Sequence, residues 1–203
     1  KKARLSRLHK SPNFVNYIGV IQDDILLNDI FSKYKPSIII HLAAQAGVRH
    51  SIEHPKLYVD SNLIGTFQIL EIAKKFNLKH LLIASTSSVY GNNKNMPLDE
   101  NQITNSPISF YAATKISNEV MAHSYSHLFN IPTTIFRFFT VYGPWGRPDM
   151  SYFKFTKNIL SDKPIDVYNK GNMERDFTYI DDLIKSIFLL ISKAPISAKK
   201  RHK

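Results

Sequence analysis

The sequence of 203 residues contains no cysteine. Disulfide frameworks and thiolate metal sites are therefore excluded, and the composition is typical of proteins in a reducing compartment such as the cytoplasm. No apolar run reaches the roughly 18 residues of a membrane span, and no apolar core follows the basic N-terminus as it would in a signal peptide. We therefore expect a cytoplasmic protein with no membrane partner.

Glycine is also scarce, with 7 residues in the chain. Folds that bind dinucleotides normally open with a strand and a glycine-rich turn, whose backbone amides hold a pyrophosphate at a helix N-terminus. Neither Gly-x-Gly-x-x-Gly nor Gly-x-x-Gly-x-x-Gly occurs in this sequence. If the fold is of that kind, we expect a chain shortened at its N-terminus, without the first strands, the phosphate loop and the acidic residue that binds ribose.

Acidic residues are too few to balance the basic ones, and the formal net charge is +11. Such a charge favours a nucleic-acid partner when the basic residues form one patch or stripe. Here the excess is concentrated in two runs at the ends of the chain, within 1–10 and 199–203. Because end runs are typical of solvated tails, we predict no nucleic-acid partner. Salt-dependent binding of DNA or RNA would contradict that prediction.

Strand and helix patterns alternate along the chain, which predicts a parallel sheet covered by helices. The strands and extended segments are expected at 14–21, 37–42, 79–85, 132–139, 165–168 and 176–179. The helices are expected at 25–34, 55–77, 110–129, 153–160 and 181–191. The fold class is therefore α/β, with a doubly wound, Rossmann-type parallel sheet that lacks its first strands.

Tyr111 and Lys115 lie four residues apart in the predicted helix 110–129 and so share one helix face. A lysine ammonium beside a phenol favours the phenolate, and a lowered tyrosine pKa makes a usable general base. The chain has a second pair with this spacing, Tyr90 and Lys94, but a Gly-Asn-Asn turn signal lies between them. Taken alone, the spacing of Tyr111 and Lys115 could also arise by chance. The surrounding motifs decide whether the two residues form a catalytic pair.

Four further segments carry small, hydroxyl or basic residues close to predicted elements. Segment 41–49 is a run of small residues after a strand, where a flat ligand can lie against the backbone. Segment 84–91 has four consecutive hydroxyl residues, and hydroxyls both donate to and accept from a sugar oxygen. Segment 137–150 leads into a loop rich in glycine and proline, and 175–182 offers an arginine suited to a diphosphate. A packing corner, a plain polar loop and a surface ion pair are the alternatives.

In this order, the motifs His-Leu-Ala-Ala-Gln, Ser-Thr-Ser-Ser-Val-Tyr-Gly, Tyr-x-x-x-Lys, Arg-Phe-Phe-Thr-Val-Tyr-Gly-Pro and Arg-Asp-Phe-Thr-Tyr resemble the extended short-chain dehydrogenases/reductases that act on nucleotide sugars. Two longer strings, Ala-Gly-Val-Arg at 46–49 and Gly-Pro-Trp-Gly-Arg-Pro-Asp-Met at 143–150, resemble the UDP-glucuronate 4-epimerase branch. The resemblance implies a partial NAD-binding domain at 1–140, a partial nucleotide-sugar-binding region at 141–193 and a basic tail at 194–203, with the substrate domain also shortened.

The resemblance assigns roles to individual residues of this sequence. Tyr111 would remove the proton of the sugar 4-hydroxyl as C4 gives up hydride to NAD⁺, Lys115 would lower the pKa of Tyr111 and bind the nicotinamide ribose, and Thr86 would complete the relay. The positions that match the family's cofactor-binding residues are Asp24, Ile25, Leu42, Ala43, Ala44, Asn62, Tyr111 and Lys115. The expected substrate-binding residues are Ser87, Ser88, Arg147 and Arg175. The helices 55–77 and 110–129 match those through which family members form homodimers.

The two residues after Thr86 reduce the number of reactions that the family resemblance allows. Related 4,6-dehydratases need a carboxylic acid and a carboxylate at the next two positions, and related decarboxylases need a glutamate at the second. Here they are Ser87 and Ser88, which cannot do either job at neutral pH. We therefore expect C4 epimerisation of a UDP-hexuronic acid, UDP-glucuronate to UDP-galacturonate, through a 4-keto intermediate. A neutral UDP-sugar 4-epimerase, and an inactive chain that keeps the fold without the phosphate loop, remain open.

Overall fold

The central sheet has three parallel strands in the order β1 (Ile38–His41), β2 (His80–Thr86) and β3 (Thr133–Phe138). The structure is a computed structural model in which residues 2–196 are described. Strand β2 lies in the middle, where Ile83 pairs with His41 on one side and with Ile135 on the other. Since all three strands run the same way, their carboxyl ends lie along one edge of the sheet.

Strand β2 is the most deeply buried element of the chain. Leu81, Leu82 and Ile83 are consecutive and all at most 1% exposed, so both faces of the strand are covered. A continuous apolar run of this kind is typical of parallel strands with helices packed on both faces. The core around β2 comprises Phe31, Ile69, Leu70, Ile72, Ala73, Leu78, Leu81, Ile83, Ala122 and Ile131.

A side-chain cap fixes the start of one of the helices that precede β1. Helix α1 (Lys2–Leu8) precedes α2 (Asp24–Tyr34), which begins where the Asp23 carboxylate accepts a hydrogen bond from the Leu26 amide at 2.9 Å. A short helix α3 (Val48–Glu53) follows β1. A side-chain oxygen on the residue just before a helix, here that of Asp23, accepts from an amide that the first helical turn leaves without a partner.

One helical run passes through three hydrogen-bonding patterns between Pro55 and Lys75. It consists of α4 (Pro55–Tyr58), a π-helical segment (Val59–Ile64) and α5 (Gly65–Lys75). π-Helical turns are rare and frequently occur at functional sites. Helix α6 (Phe110–Phe129) packs against this run and against β2, and it begins where the Ser109 hydroxyl accepts from the Ala112 amide at 3.1 Å.

A second, smaller sheet follows β3. Strands β4 (Thr140–Tyr142) and β5 (Phe177–Tyr179) pair in parallel, and helices α7 (Ser151–Ile159) and α8 (Ile180–Ile191) accompany them. The end of α8 is tied to the main sheet, because His80 Nδ1 lies 3.1 Å from the Ile191 carbonyl oxygen and its Nε2 lies 2.8 Å from Thr134 Oγ1.

The predicted fold class is confirmed: helices cover a parallel sheet. The predicted strands at 14–21 and 165–168 are wrong, because the first segment is irregular and the second leads into a 3₁₀ turn at Tyr168–Gly171. Neither forms ladder hydrogen bonds with a neighbour in the described part of the chain, and β-branched residues alone do not make a strand.

The short helices α1 and α3 were not predicted. The domain boundary at 140 stays a prediction, and 197–203 of the proposed basic tail lie outside the described residues.

Within residues 2–196, no helix combines the length and the apolar character that crossing a bilayer requires.

Candidate functional site

A cavity of about 910 Å³ lies at the carboxyl edge of the main sheet. It is lined by the segments that follow the three strands, at 45–50, 86–88 and 138–141, together with Tyr111 and residues from the loop and helix at 145–152. In open parallel sheets this edge is where ligands bind, because the loops that leave it are free of the ladder. Four of the five sequence motifs, those other than 175–182, therefore contribute residues to one cavity.

Thr86, Tyr111 and Lys115 are brought together at this edge, as the sequence predicts. Thr86 and Tyr111 both line the cavity, and the Thr86 hydroxyl is close enough to the phenol to act on the pKa of Tyr111. Lys115 is 3% exposed, and its ammonium donates to the Ala84 carbonyl oxygen at 2.8 Å. The Tyr111 amide donates to Ser51 Oγ at 3.2 Å, which fixes the first turn of α6 against α3.

The electrostatics of this group differ from expectation in one respect. Burial raises the pKa of Tyr111, while the Thr86 hydroxyl and the charge of Arg147 act in the opposite direction. The predicted lowering of that pKa by Lys115 is wrong for this structure. Burial likewise lowers the pKa of Lys115 to about 8, against the opposing charge of Glu119. The Lys115 ammonium points to the Ala84 carbonyl of β2, and burial is the main influence on the pKa of Tyr111.

The hydroxyl run after β2 faces the cavity. Thr86 Oγ1 accepts from the Ser88 amide at 3.2 Å and lies 3.3 Å from Ser88 Oγ. The Ser87 hydroxyl has no hydrogen-bond partner among residues 2–196, although Ser87 lines the cavity. Donors and acceptors are therefore available to a polar ligand at this point.

Asn62 supports the site from behind. Its side chain is completely buried; Oδ1 accepts from the Gln45 amide at 2.8 Å, and Nδ2 donates to the Gln45 carbonyl at 3.1 Å and to Thr114 Oγ1 at 3.0 Å. All the polar atoms of the carboxamide are thus used by the protein. The cofactor role of Asn62 stays a prediction; in this structure its side chain holds the loop at Gln45 that faces the cavity.

Tyr58 is a site residue that the sequence analysis missed. Its hydroxyl donates to the Gly47 carbonyl at 2.8 Å and lies 3.2 Å from His50 Nδ1, and its ring packs edge-on against that of Tyr111 at 6.1 Å. Gly47 has a φ of 119°, which a side chain would disfavour. The available signal was the spacing of Tyr58, Asn62 and Thr66, polar residues four apart in a helix, all completely buried.

The positions expected to bind a cofactor lie along the same edge. Leu42, Ala43 and Ala44 follow β1 directly, and Leu42 is 53% exposed. Asp24 and Ile25 begin α2, whose other end leads into β1, so their end of the helix lies at the carboxyl edge. Exposed apolar and small residues at this edge of the sheet fit a flat, extended ligand such as NAD.

The two predicted arginines differ in position. Arg147 lines the cavity, and its Nε and Nη2 donate to the Asp149 carboxylate at 3.0 and 2.5 Å. Arg175 is exposed and is not part of the cavity lining, so the structure does not bring it to Tyr111. Across the described residues no cluster of side chains suited to a metal ion is found.

Residues 2–201 match the NAD dependent epimerase/dehydratase family. The match spans almost the whole chain, and the protein belongs to this family. This confirms the family predicted from the sequence motifs, and individual relatives agree with it.

The chain is 52% identical over 201 residues to a probable UDP-glucuronate 4-epimerase of Rhizobium meliloti, which covers 99% of this chain and 59% of that protein. The crystal structure of UDP-glucuronic acid 4-epimerase from Bacillus cereus with UDP-glucuronic acid and NAD superposes with a TM-score of 0.85 at 37% identity, covering 97% of this chain and 62% of that one. UDP-glucose 4-epimerase from Thermotoga maritima gives 0.83 at 31% identity, covering 89% and 60%. This chain thus spans less than two thirds of each relative.

The buried lysine predicts a specific pH dependence of stability. Lys115 has a pKa of about 8 in the folded protein, below its value in the unfolded chain, so the unfolded state binds an extra proton between about pH 8 and 10. The free energy of unfolding of the protein, relative to Lys115→Met, should therefore rise with pH across this window, by at most about 3 kcal/mol. Urea unfolding of both proteins from pH 7 to 10 measures it. A difference that is constant with pH would contradict the assigned burial.

Proposed function

We propose that this protein catalyses epimerisation at C4 of UDP-glucuronate, giving UDP-galacturonate, with NAD as its cofactor. The observation that carries the proposal is that Thr86 and Tyr111 lie together at the wall of one cavity, with the buried Lys115 one helical turn beyond Tyr111 and bonded to β2. The family and the names of the relatives support it.

Each of the three residues has a task that its position supports. Tyr111, as the phenolate, accepts the proton of the sugar 4-hydroxyl and becomes the phenol, and the nearby Thr86 hydroxyl donates a hydrogen bond to the 4-oxygen. Lys115 holds positive charge behind the pair and is fixed by the Ala84 carbonyl. NAD, when bound along Leu42–Ala44, Asp24 and Ile25, supplies the hydride acceptor for C4. Oxidised nicotinamide is cationic, which favours the Tyr111 phenolate.

Inversion at C4 requires the ketone to present its opposite face before it is reduced again. The keto sugar must therefore turn while the nucleotide stays bound. The cavity of about 910 Å³ is at the upper end of the range for ligand sites and leaves room for a hexose ring to turn. Arg147, at the cavity wall, and Arg175 are the proposed anchors for the diphosphate.

The hydroxyl groups of Thr86, Ser87 and Ser88 make a uronic acid the preferred sugar. A 4-keto acid with a carboxylate on C5 loses CO₂ readily when the breaking C–C bond aligns with the carbonyl π system. We propose that these hydroxyls hold the carboxylate out of that alignment. The absence of a carboxyl side chain at positions 87 and 88 also favours epimerisation over dehydration.

Removal of the Tyr111 hydroxyl tests the proposal. Tyr111→Phe should lower turnover of UDP-glucuronate to UDP-galacturonate by at least about 100-fold, because the proton acceptor is lost while the ring packing stays. Tyr34→Phe, on α2, is the matched control and should keep full activity. Chromatography of the UDP-sugars after incubation with NAD⁺ gives the rates, and UDP-glucose assayed in parallel tests the neutral-sugar alternative. Equal rates for Tyr111→Phe and the parent protein would overturn the assignment.

The fate of the carboxylate gives an independent prediction. Ser87→Ala should raise the ratio of released CO₂ to epimer formed, because one of the hydroxyls proposed to hold the carboxylate is removed. Substrate labelled with ¹³C at C6 allows both products to be quantified by NMR. Ser161→Ala, at an exposed serine after α7, should leave the ratio unchanged. An unchanged ratio in Ser87→Ala would show that Ser87 does not control decarboxylation.

We also propose a cytoplasmic homodimer formed through the helices of 55–77 and 110–129. Large apolar side chains on these helices are exposed, among them Phe67 at 41% and Val120 at 64%. Such exposure is typical of surfaces that bind a partner. Val120→Glu should shift the sedimentation coefficient from dimer to monomer, whereas Lys154→Glu on α7 should not. Sedimentation of the unsubstituted chain as a monomer at micromolar concentration would contradict the dimer.

A further inference from the structure

Helix α6 presents a third residue to β2, one turn beyond the catalytic pair. Tyr111, Lys115 and Glu119 are spaced four apart and so lie on one face of the helix. Consecutive residues of β2 face them: Thr86 lines the cavity with Tyr111, the Ala84 carbonyl accepts from Lys115, and the Ser85 hydroxyl donates to Glu119. Glu119 thus extends the proposed catalytic set, although it does not line the cavity.

Glu119 is held in a network that is largely buried. Ser85 Oγ donates to its Oε1 at 2.5 Å, and Arg137 of β3 donates through Nη2 to Oε2 at 2.8 Å and through Nε to both oxygens at 3.2 and 3.3 Å. The side chains of Glu119 and Arg137 are 12% and 20% exposed. A charged pair with this geometry at this depth orients its neighbours more strongly than an exposed ion pair does.

Arg137 extends the network to the far end of the hydroxyl run. Its Nη1 donates to Tyr90 Oη at 3.2 Å and to the Glu100 carbonyl at 3.1 Å, and the guanidinium lies 5.0 Å from the centre of the Tyr90 ring. The residues that face the cavity, 86–88, are therefore fixed on one side through Ser85 and on the other through Tyr90.

We propose that Glu119, together with Arg137, is a positioning residue that fixes Ser85 and hence the hydroxyl of Thr86, and that sets the charge felt by the Lys115 ammonium. The inference rests on the proposed function for the roles of Thr86 and Lys115. Its tests require neither nucleotide nor turnover, so they can fail or succeed independently of the epimerase assignment.

The charges around Lys115 support the second half of this proposal. Burial lowers the pKa of Lys115 to about 8, and the charge of Glu119 raises it. The other groups that face Lys115 are His41 on β1, which shares a charge interaction with it, and Tyr111 on its own helix. Since burial lowers the pKa of His41 to about 4, that ring is neutral at pH 7 and Glu119 is the charge that opposes the desolvation.

An NMR titration of the chain with lysine labelled with ¹³C at Cε measures the pKa of Lys115 directly, with Lys115→Arg identifying its signal. In Glu119→Gln, which keeps the size and an acceptor for Ser85, this pKa should fall by about 1 unit, because the charge that stabilises the ammonium is removed. In Arg137→Gln it should rise, because Glu119 keeps its charge and loses the cation that neutralises it. Shifts of opposite sign distinguish a charge effect from general loosening.

An unchanged pKa of Lys115 in folded Glu119→Gln, or a fall in Arg137→Gln, would overturn the charge role. Should one variant fail to fold, the other still gives a signed result. Two exposed charged residues offer controls of opposite sign: Glu174→Gln and Lys170→Gln should leave the Lys115 pKa where it is.

The positioning role has a separate readout. The Ser88 amide donates to Thr86 Oγ1, so its hydrogen exchange reports whether Thr86 is in place. Ser85→Ala breaks the link to Glu119 and should speed this exchange by about tenfold, the effect of losing one hydrogen bond. The Ala113 amide, bonded to the Ser109 carbonyl at the start of α6, should exchange at its original rate. Equal Ser88 exchange in Ser85→Ala and the parent protein would refute the positioning role.

Discussion

The Lys115 ammonium lies almost completely buried between α6 and β2 and donates to the Ala84 carbonyl. A buried charge costs several kcal/mol unless polar groups surround it, so the neighbouring elements must supply them. Here the backbone of β2 supplies a carbonyl, α6 itself supplies Glu119 one turn away, and β1 contributes His41 in a neutral form. The same constraint fixes the distance between the end of β2 and the start of α6, where Thr86 and Tyr111 meet.

The loop after β1 is held by a second set of buried polar groups. Tyr58, Asn62 and Thr66 succeed one another at helical spacing and contact, in turn, the Gly47 carbonyl, the backbone of Gln45 and His41 Nε2 at 3.0 Å. The π-helical segment Val59–Ile64 lies within this run. A buried polar group without a partner would be costly, so each of these contacts also restricts the loop to one conformation. These hydrogen bonds hold the loop that forms one wall of the cavity.

Sequence patterns predicted those features that depend on local spacing. The helix Phe110–Phe129 and the four-residue spacing of Tyr111 and Lys115 follow from periodicity, and the buried strand β2 follows from its continuous apolar run. Segment 14–21 was mistaken for a strand because pairing with a neighbour is a tertiary property that its composition does not contain. The roles of Tyr58 and Glu119 were missed for the same reason: their partners Gly47 and Ser85 are remote in sequence.

The direction in which the pKa of Tyr111 is shifted could not be predicted from the sequence either. It depends on how deeply the phenol is buried and on where the Lys115 ammonium points, and both are set by the packing of α6 on β2. Calorimetric titration of the chain with NAD⁺, with and without UDP, measures directly whether this edge of the sheet binds NAD beside a nucleotide sugar. We expect saturable binding of NAD⁺ that UDP strengthens. No heat of binding from a folded chain would contradict it.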